Sequence, residues 1–350
     1  MELRAHALAV CVGELAGVLV ELDDVRDQPV AVRLAGRGRW RGFTRDVRGR
    51  SPRRCLRGGV PTTATRGEHG ENESPHRVDG SVSTSMALWF AALLGLVQGL
   101  TEYIPVSSTA HLRVMSALFG RADDGAAYTA VLQLGTLAAV LIYFAKDLVQ
   151  MPTAMFRDWH SPEGRLPWLI ALGSVPIIIA GLALKKHVEG DLRSLYIIGA
   201  ALVVVGIAMA IIDMSGAGNR TIAGIMWRDA LLIGLAQTMA LVPGVSRSGS
   251  TICMALLLGF TRSDAARFSF LLSIPAVAGA GILESRAVFH TFSMSSIAVG
   301  VGVAGVTGYA AIAWLMKWLG THKLVGFAIY RIACGLALLA AMAAGYLRGA

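Results

Sequence analysis

Residues able to do chemistry gather at two places in this chain of 350 residues. From Gln98 to His111 it reads QGLTEYIPVSSTAH, and from Pro243 to Thr251 it reads PGVSRSGST. Gln98 and Glu102 stand four apart and share one face of a helix. Pro105 disfavours helix in the residue before it and ends that helix. Ser107 or Ser108 then caps the next helix, whose N-terminus attracts anions. His111 follows Ser108 by three residues, on the same face of the new helix. A carboxylate, a hydroxyl and an imidazole therefore converge at a helix start. The second place, Ser246, Arg247, Ser248, Gly249, Ser250 and Thr251, is a hydroxyl-rich turn with one guanidinium. Backbone N–H groups, hydroxyls and an arginine make a phosphate cradle, and the arginine fork binds two oxygens at once. Taken singly, each group has an ordinary reading: a packed carboxylate, capping serines, a core histidine, an arginine snorkelling to a headgroup. The combination points to phosphate chemistry.

The surroundings are apolar. The chain is 54% apolar and 16% charged, against about 25% charge in a soluble domain, and its mean hydropathy is +0.57. That argues against an ordinary cytosolic enzyme. Residues 1–85 hold 14 Arg, no Lys and 11 acidic residues, leaving 18 Lys+Arg and 12 acidic residues for 86–350. The first segment is Arg- and Gly-rich or polar, too poor in apolar area to offset chain entropy. It is expected to be a basic, disordered extension or the product of an upstream start, with the folded part spanning 86–350. The four cysteines are scattered, without metal-ligand spacing.

Elements follow from the apolar runs. Tyr128–Phe144, Leu166–Leu184, Leu195–Ile212, Phe268–Leu283, Ile297–Leu315 and Phe327–Leu347 have the length to cross a bilayer. Ala87–Phe119 and Ala230–Phe260 are apolar too, but each is broken midway by Pro and Ser. Non-helical backbone at membrane depth survives only inside protein or beside a water-filled cavity, so each reads as a re-entrant helix–break–helix unit. The two resemble each other: Gly95-Leu96-x-Gln98 matches Gly234-Leu235-x-Gln237, and Pro105-x-x-Ser108 matches Pro243-x-x-Ser246 after a one-residue slip. Three crossings follow each unit, so the halves enter from opposite sides. The fold class expected is an all-α integral membrane protein with an inverted-topology repeat, about 86–213 and 228–350, six transmembrane helices and two re-entrant units. Nine basic residues fall on the side opposite the first unit's entry and seven on the entry side. Positive charge favours the cytoplasm, which puts the first unit's entry on the periplasmic or extracellular side. Asp213, Asp229 and Glu284, at crossing ends, are expected to be solvated.

Gln98-Gly-Leu-Thr-Glu102-Tyr-Ile-Pro-Val-Ser-Ser108-Thr-Ala-His111 and Pro243-Gly-Val-Ser-Arg247-Ser-Gly-Ser-Thr251 resemble the two signature motifs of the bacterial undecaprenyl-diphosphatase family, the bacitracin-resistance proteins. Phe327-Ala-Ile-Tyr-Arg331 and Phe268-Ser-Phe-Leu-Leu-Ser-Ile-Pro275 look like that family as well. The resemblance covers roughly Met86 to Leu347. It implies a multi-pass phosphatase of the bacterial inner membrane with its site facing the periplasm. Such an enzyme converts undecaprenyl diphosphate to undecaprenyl phosphate, recycling the carrier for peptidoglycan and other envelope polymers. One departure matters: many family members have Glu where this chain has Gln98, so a cation held by two carboxylates is in doubt. Glu102 with substrate phosphates and waters remains able to hold Mg²⁺ or Ca²⁺, with Gln98 contacting phosphate or metal-bound water.

On this reading Ser107, Ser246, Arg247, Ser248, Gly249 and Thr251 bind phosphate. Ser108 is the nucleophile, with His111 as general base and later acid. Direct attack by water, activated by His111 or Glu102, is the competing route. The expected partners are the polyprenyl diphosphate substrate and membrane lipids, not nucleic acid, with a homodimer left open. The rival function is a polyprenyl-phosphate flippase, since broken helices in inverted repeats also mark transporters. The Ser-x-x-His pair beside Glu102 argues against it, because translocation needs no base.

Overall fold

The structure, a computed structural model, describes residues 87–121, 125–184 and 191–347. The extension expected over 1–85 lies outside the described residues. Eleven α-helices form among the described residues. They are α1 (Leu88–Glu102), α2 (Ser108–Leu118), α3 (Gly125–Tyr143), α4 (Ala145–Arg157), α5 (Pro162–Ala183), α6 (Leu195–Met214), α7 (Trp227–Thr238), α8 (Arg247–Leu257), α9 (Arg262–Thr291), α10 (Met294–Leu319) and α11 (Val325–Ala343). The only strand-like pairing described is an isolated bridge between Arg220 and Phe260.

Local chemistry sets the boundaries. Ser161 accepts from Gly164 N at 3.1 Å to start α5, with Pro162 in the first turn where its missing N–H costs nothing. Thr261 starts α9 by accepting from Asp264 N at 3.1 Å, and its hydroxyl donates to the Asp264 carboxylate at 2.7 Å. Ser293 starts α10 in the same way, accepting from Ser296 N. Each of the six expected crossings falls on one of these helices. α5, α6, residues Arg262–Ser285 of α9, α10 and α11 are long and apolar enough to cross a bilayer. α3 with α4 makes a further pair, bent by 68°. The protein is thus an all-helical, multi-pass membrane protein.

Glycine governs how closely these helices approach. α1 lies along α10, α7 along α5, α6 against α11, and α3 against both α9 and α10. A Cβ added at Gly95 would strike the Gly300 backbone, one at Gly99 would lie 2.7 Å from Ala304 O, and one at Gly135 would run into Val301 and Gly305. On the other side Gly234 faces the Gly173 backbone. In lipid no hydrophobic force drives helices together, so close backbone approach and dispersion must do it.

Two expectations are corrected. Asp213 is not solvated but fully buried. It takes Arg262 Nε at 2.6 Å and caps α11 from a distance, accepting from Leu324 N at 2.7 Å and Val325 N at 3.1 Å. Asp229 is also buried; it pairs with Arg220 at 2.6 Å and accepts from Met226 N at 2.9 Å. In both cases a helix end needs an acceptor for its free N–H groups, and an arginine distant in sequence or across a loop neutralises the acid. Glu284 is half-buried and lines a cavity.

The α3–α10 contact gives a direct test. Gly135→Leu should destabilise the protein by about 1–3 kcal/mol through overpacking against backbone that cannot yield. Gly302→Leu, whose Cβ would meet nothing within 4 Å, should be neutral. Thermal unfolding in detergent reads both.

Candidate active site

The first break begins where α1 stops at Glu102. Tyr103 turns into the core, its hydroxyl donating to Thr136 O of α3 at 2.8 Å and its ring meeting Phe270 edge-on at 5.0 Å. Ile104 and Pro105 carry the chain through a tight turn closed by Val106 N to Ile104 O at 2.7 Å. Ser107 then adopts φ 73°, in the left-handed region, and α2 starts at Ser108. A serine there is strained by about 1–3 kcal/mol, which the surrounding packing must over-determine.

The second break is built by the same device. α7 gives way to a 3₁₀ turn at Met239–Leu241, and the chain passes Pro243 and Gly244 (φ 100°). Ser246 sits at φ 74°, and α8 begins at Arg247. Gly244 approaches Ile198 O of α6 so closely that a Cβ would lie 2.8 Å from it. The Ser246 hydroxyl accepts from Gly249 N at 3.2 Å, capping α8.

The breaks meet. Arg247 Nη2, partly exposed at the cavity, forms an ion pair with the buried Glu102 Oε1. The other carboxylate oxygen, Oε2, accepts from Ser108 Oγ at 2.6 Å and from Gln98 Nε2 at 2.7 Å. Ser248 Oγ reaches the Glu102 and Ile104 carbonyls at 3.3 and 3.5 Å. Beside this cluster lies a cavity of about 440 Å³, lined here by Glu102, Ser107, Ser108, Ser246 and Arg247. Two helix N-termini, those of α2 and α8, therefore start at its wall, where partial positive charge favours an anion.

Arg331 closes the Phe327–Arg331 motif, and its spacing from other residues assigns it no role. It is fully buried in α11 and donates to Pro105 O at 3.2 Å, Gly244 O at 2.8 Å and Val245 O at 2.9 Å. Its partners are the carbonyls freed by the two breaks, so its charge is not cancelled by a carboxylate. Glu102, Arg247 and Arg331 together leave the site one positive charge in excess. No spacing rule points from Arg331 to residues 226 and 87 positions earlier.

The structure brings some of the expected residues to the cavity and sets others behind it. Glu102, Ser107, Ser108, Ser246 and Arg247 line it. Gln98 lies behind Glu102, fully buried, its Oε1 without a partner. Gly249 packs toward Arg331, where a Cβ would sit 3.0 Å from Nη1. Thr251 donates back to Arg247 O at 2.7 Å and meets Ser269 Oγ at 2.5 Å. His111 Nδ1 bonds Ser107 O at 2.8 Å and its Nε2 bonds Tyr330 OH at 2.8 Å. Because a carbonyl only accepts, Nδ1 carries the proton. The group in contact with the Ser108 hydroxyl is Glu102.

Comparison with known proteins adds the following. The family model described as bacitracin resistance protein BacA matches residues 91–337. A protein named undecaprenyl-diphosphatase from Gloeobacter violaceus is 50% identical over 273 residues, covering 75% of this chain and 94% of its own. One of the same name from Myxococcus xanthus is 48% identical over 271 residues, covering 75% and 91%. A third, from Nocardioides sp., is 46% identical over 264 residues, covering 73% and 96%.

Arg331 falls inside the matched stretch. Arg331→Met strips three carbonyls of a charged donor and should cost about 3 kcal/mol of stability; Arg331→Lys, a point donor, should restore only part. An unchanged unfolding midpoint in detergent would show that those carbonyls are satisfied otherwise.

Proposed function

The chain belongs to the bacitracin resistance protein BacA family, and on that footing we propose that it hydrolyses undecaprenyl diphosphate to undecaprenyl phosphate and inorganic phosphate. The observation that carries the mechanism is the Glu102 carboxylate, shared between Arg247 and the Ser108 hydroxyl at the wall of a cavity.

The diphosphate displaces Glu102 from Arg247, taking the guanidinium fork and the free N–H groups at the starts of α2 and α8. Glu102, released from its counter-charge, accepts the Ser108 proton as Oγ attacks the terminal phosphorus. The Ser108 Oγ–P bond forms, the P–O–P bridge breaks, and undecaprenyl phosphate leaves with the bridging oxygen. Glu102 gives up the Ser108 proton to the departing phosphate product and is again a base. Water then attacks the phosphoserine as Glu102 takes its proton, and Glu102 passes that proton to Ser108 Oγ as the Oγ–P bond breaks and inorganic phosphate departs. Phosphoryl transfer asks mainly for positioning and charge stabilisation, and the excess positive charge from Arg331 supplies part of the latter. His111, committed to Ser107 O and Tyr330, fixes the turn that presents Ser108.

The donors present suit a divalent cation, Mg²⁺ or Ca²⁺. Glu102 offers one carboxylate, and the buried Gln98 Oε1 beside it has no partner; substrate phosphate oxygens and water would complete the six or more oxygens such ions take. When bound, the ion would neutralise charge on the diphosphate.

The wider arrangement supports an inverted-topology repeat. Left-handed serines 107 and 246 each precede a helix start, and α1 pairs with α10 as α7 pairs with α5. Each broken helix pair would then be re-entrant, dipping in from opposite leaflets. The charge bias of nine against seven basic residues favours a site opening to the periplasm from the bacterial inner membrane.

The test is phosphate release from polyprenyl diphosphate by purified protein in detergent, where no sidedness exists and a flippase would be silent. Glu102→Ala and Arg247→Ala should each lower kcat on the order of 10²–10³-fold. Acid quench should trap phosphoserine at Ser108; near-parental turnover by Ser108→Ala would replace the covalent step with direct attack by water. Gln98→Glu should lower the Mg²⁺ or Ca²⁺ concentration needed for half-maximal rate, since it restores a second carboxylate.

A further inference from the structure

The repeat reading pairs α3 with α9 and α5 with α10, so the seam between α3 and α10 has a twin between α9 and α5. The two differ. The α3–α10 seam is shut along its length by glycines: Gly135 abuts Val301 and Gly305, and a Cβ at Gly308 would lie 3.2 Å from Thr136. The α5–α9 seam is tight only at one level, where a Cβ at Gly173 would sit 2.9 Å from Leu272 Cδ1. Just beyond, each wall carries a proline, Pro176 in α5 and Pro275 in α9. Proline removes a helical hydrogen bond and bends the helix. Neither α3 nor α10 contains one. Past the prolines the seam stands open. A Cβ at Gly279 would meet nothing within 4 Å, and one at Gly181 would meet only Leu241 Cδ2 at 3.9 Å.

This opening is continuous with the catalytic cavity: Gly181 on α5 and Ala276, Gly279, Ala280 and Leu283 on α9 line the same space as Glu102 and Arg247. Ile178, Leu182 and Leu283 give it exposed apolar lips, at 48%, 64% and 63% of full accessibility, and Arg193 and Glu284 line the same space. A diphosphate held by Arg247 must send its esterified chain away along an apolar path, and the seam provides one. A methyl-branched isoprenoid is thicker than an acyl chain, which is what two glycines facing open space accommodate.

We propose that the splayed α5–α9 seam is a lateral slot for the isoprenoid chain of the substrate, and that Gly181 and Gly279 set the bulk it admits. The inference rests on the reaction proposed above and adds specificity-determining residues to it.

The experiment compares purified parent, Gly279→Leu, Gly181→Leu, Gly279→Ala and Gly302→Leu in detergent. Substrates are undecaprenyl diphosphate, farnesyl diphosphate and inorganic pyrophosphate. Each leucine variant in the slot should lose at least ten-fold in kcat/KM on undecaprenyl diphosphate, mainly through KM, and less on farnesyl diphosphate. Activity on the tail-less pyrophosphate should stay within about two-fold of parent, or, where the parent's rate on it is too low to measure, inorganic phosphate should inhibit with unchanged strength. Gly279→Ala should fall between parent and leucine. Gly302→Leu, the same change at an exposed, unobstructed site in α10, should match parent. A photoactivatable prenyl diphosphate should crosslink to residues 177–182 and 276–283 in parent and lose that labelling in Gly279→Leu. Parental kinetics on undecaprenyl diphosphate in both leucine variants, or crosslinks elsewhere, would overturn the slot and leave the reaction standing. A parent that releases no phosphate from any prenyl diphosphate yet is labelled in the seam would overturn the reaction and leave the slot standing.

Discussion

The ion pair between Glu102 and Arg247 is the constraint on which the rest depends. Each charge sits at the end of a helix interrupted within an apolar bundle, and either one alone, taken out of water, would cost several kcal/mol. Joined, with Ser108 and Gln98 donating to the same carboxylate, they hold two segments 145 residues apart in one register. The pair also sets the chemistry. In the proposed reaction, a part-buried arginine whose counter-ion is a hydrogen-bonded carboxylate exchanges that partner for a phosphate, and the exchange releases a base beside a hydroxyl.

That exchange needs broken backbone to be tolerated inside the helical bundle, and Arg331 binds the carbonyls of both breaks. Pro105, Gly244 and Val245 expose carbonyls with no helical donor, and one guanidinium answers all three. Exposed carbonyls in hydrocarbon would each cost as much as an unmade hydrogen bond. Their shared donor is a cation, so the remedy for the breaks also gives the site its surplus charge. The left-handed serines belong to the same economy of form, since the turn at each lets a helix begin with its free N–H groups facing the cavity.

Much of this was legible in the sequence because it is local. Apolar runs of membrane-crossing length located the six long helical segments. Pro105 and Pro243, with the serines after them, located both breaks, and the Gly-Leu-x-Gln pairs announced their likeness. What escaped was long-range. Asp213 and Asp229 read as solvated because their arginines and the N–H groups they cap belong to other segments. His111 lay on the expected face of α2, yet its partner is Tyr330, 219 residues away, and Ser108 turned back to Glu102 instead. Thr251 read as a phosphate ligand, whereas its hydroxyl is taken up by Arg247 O and Ser269. Side-chain direction at a helix start is decided by packing, which spacing does not encode.

The inequality between the two helix seams has a thermodynamic consequence. Lifting a polyisoprenoid into water would forfeit roughly 0.8 kcal/mol for every methylene-sized unit exposed, far more than any phosphate clamp returns. A wall that parts sideways leaves the hydrocarbon where it already is, so only the headgroup changes solvent. On that proposal, substrate and site would meet by a two-dimensional search within a leaflet, and substrate abundance would count as a surface density.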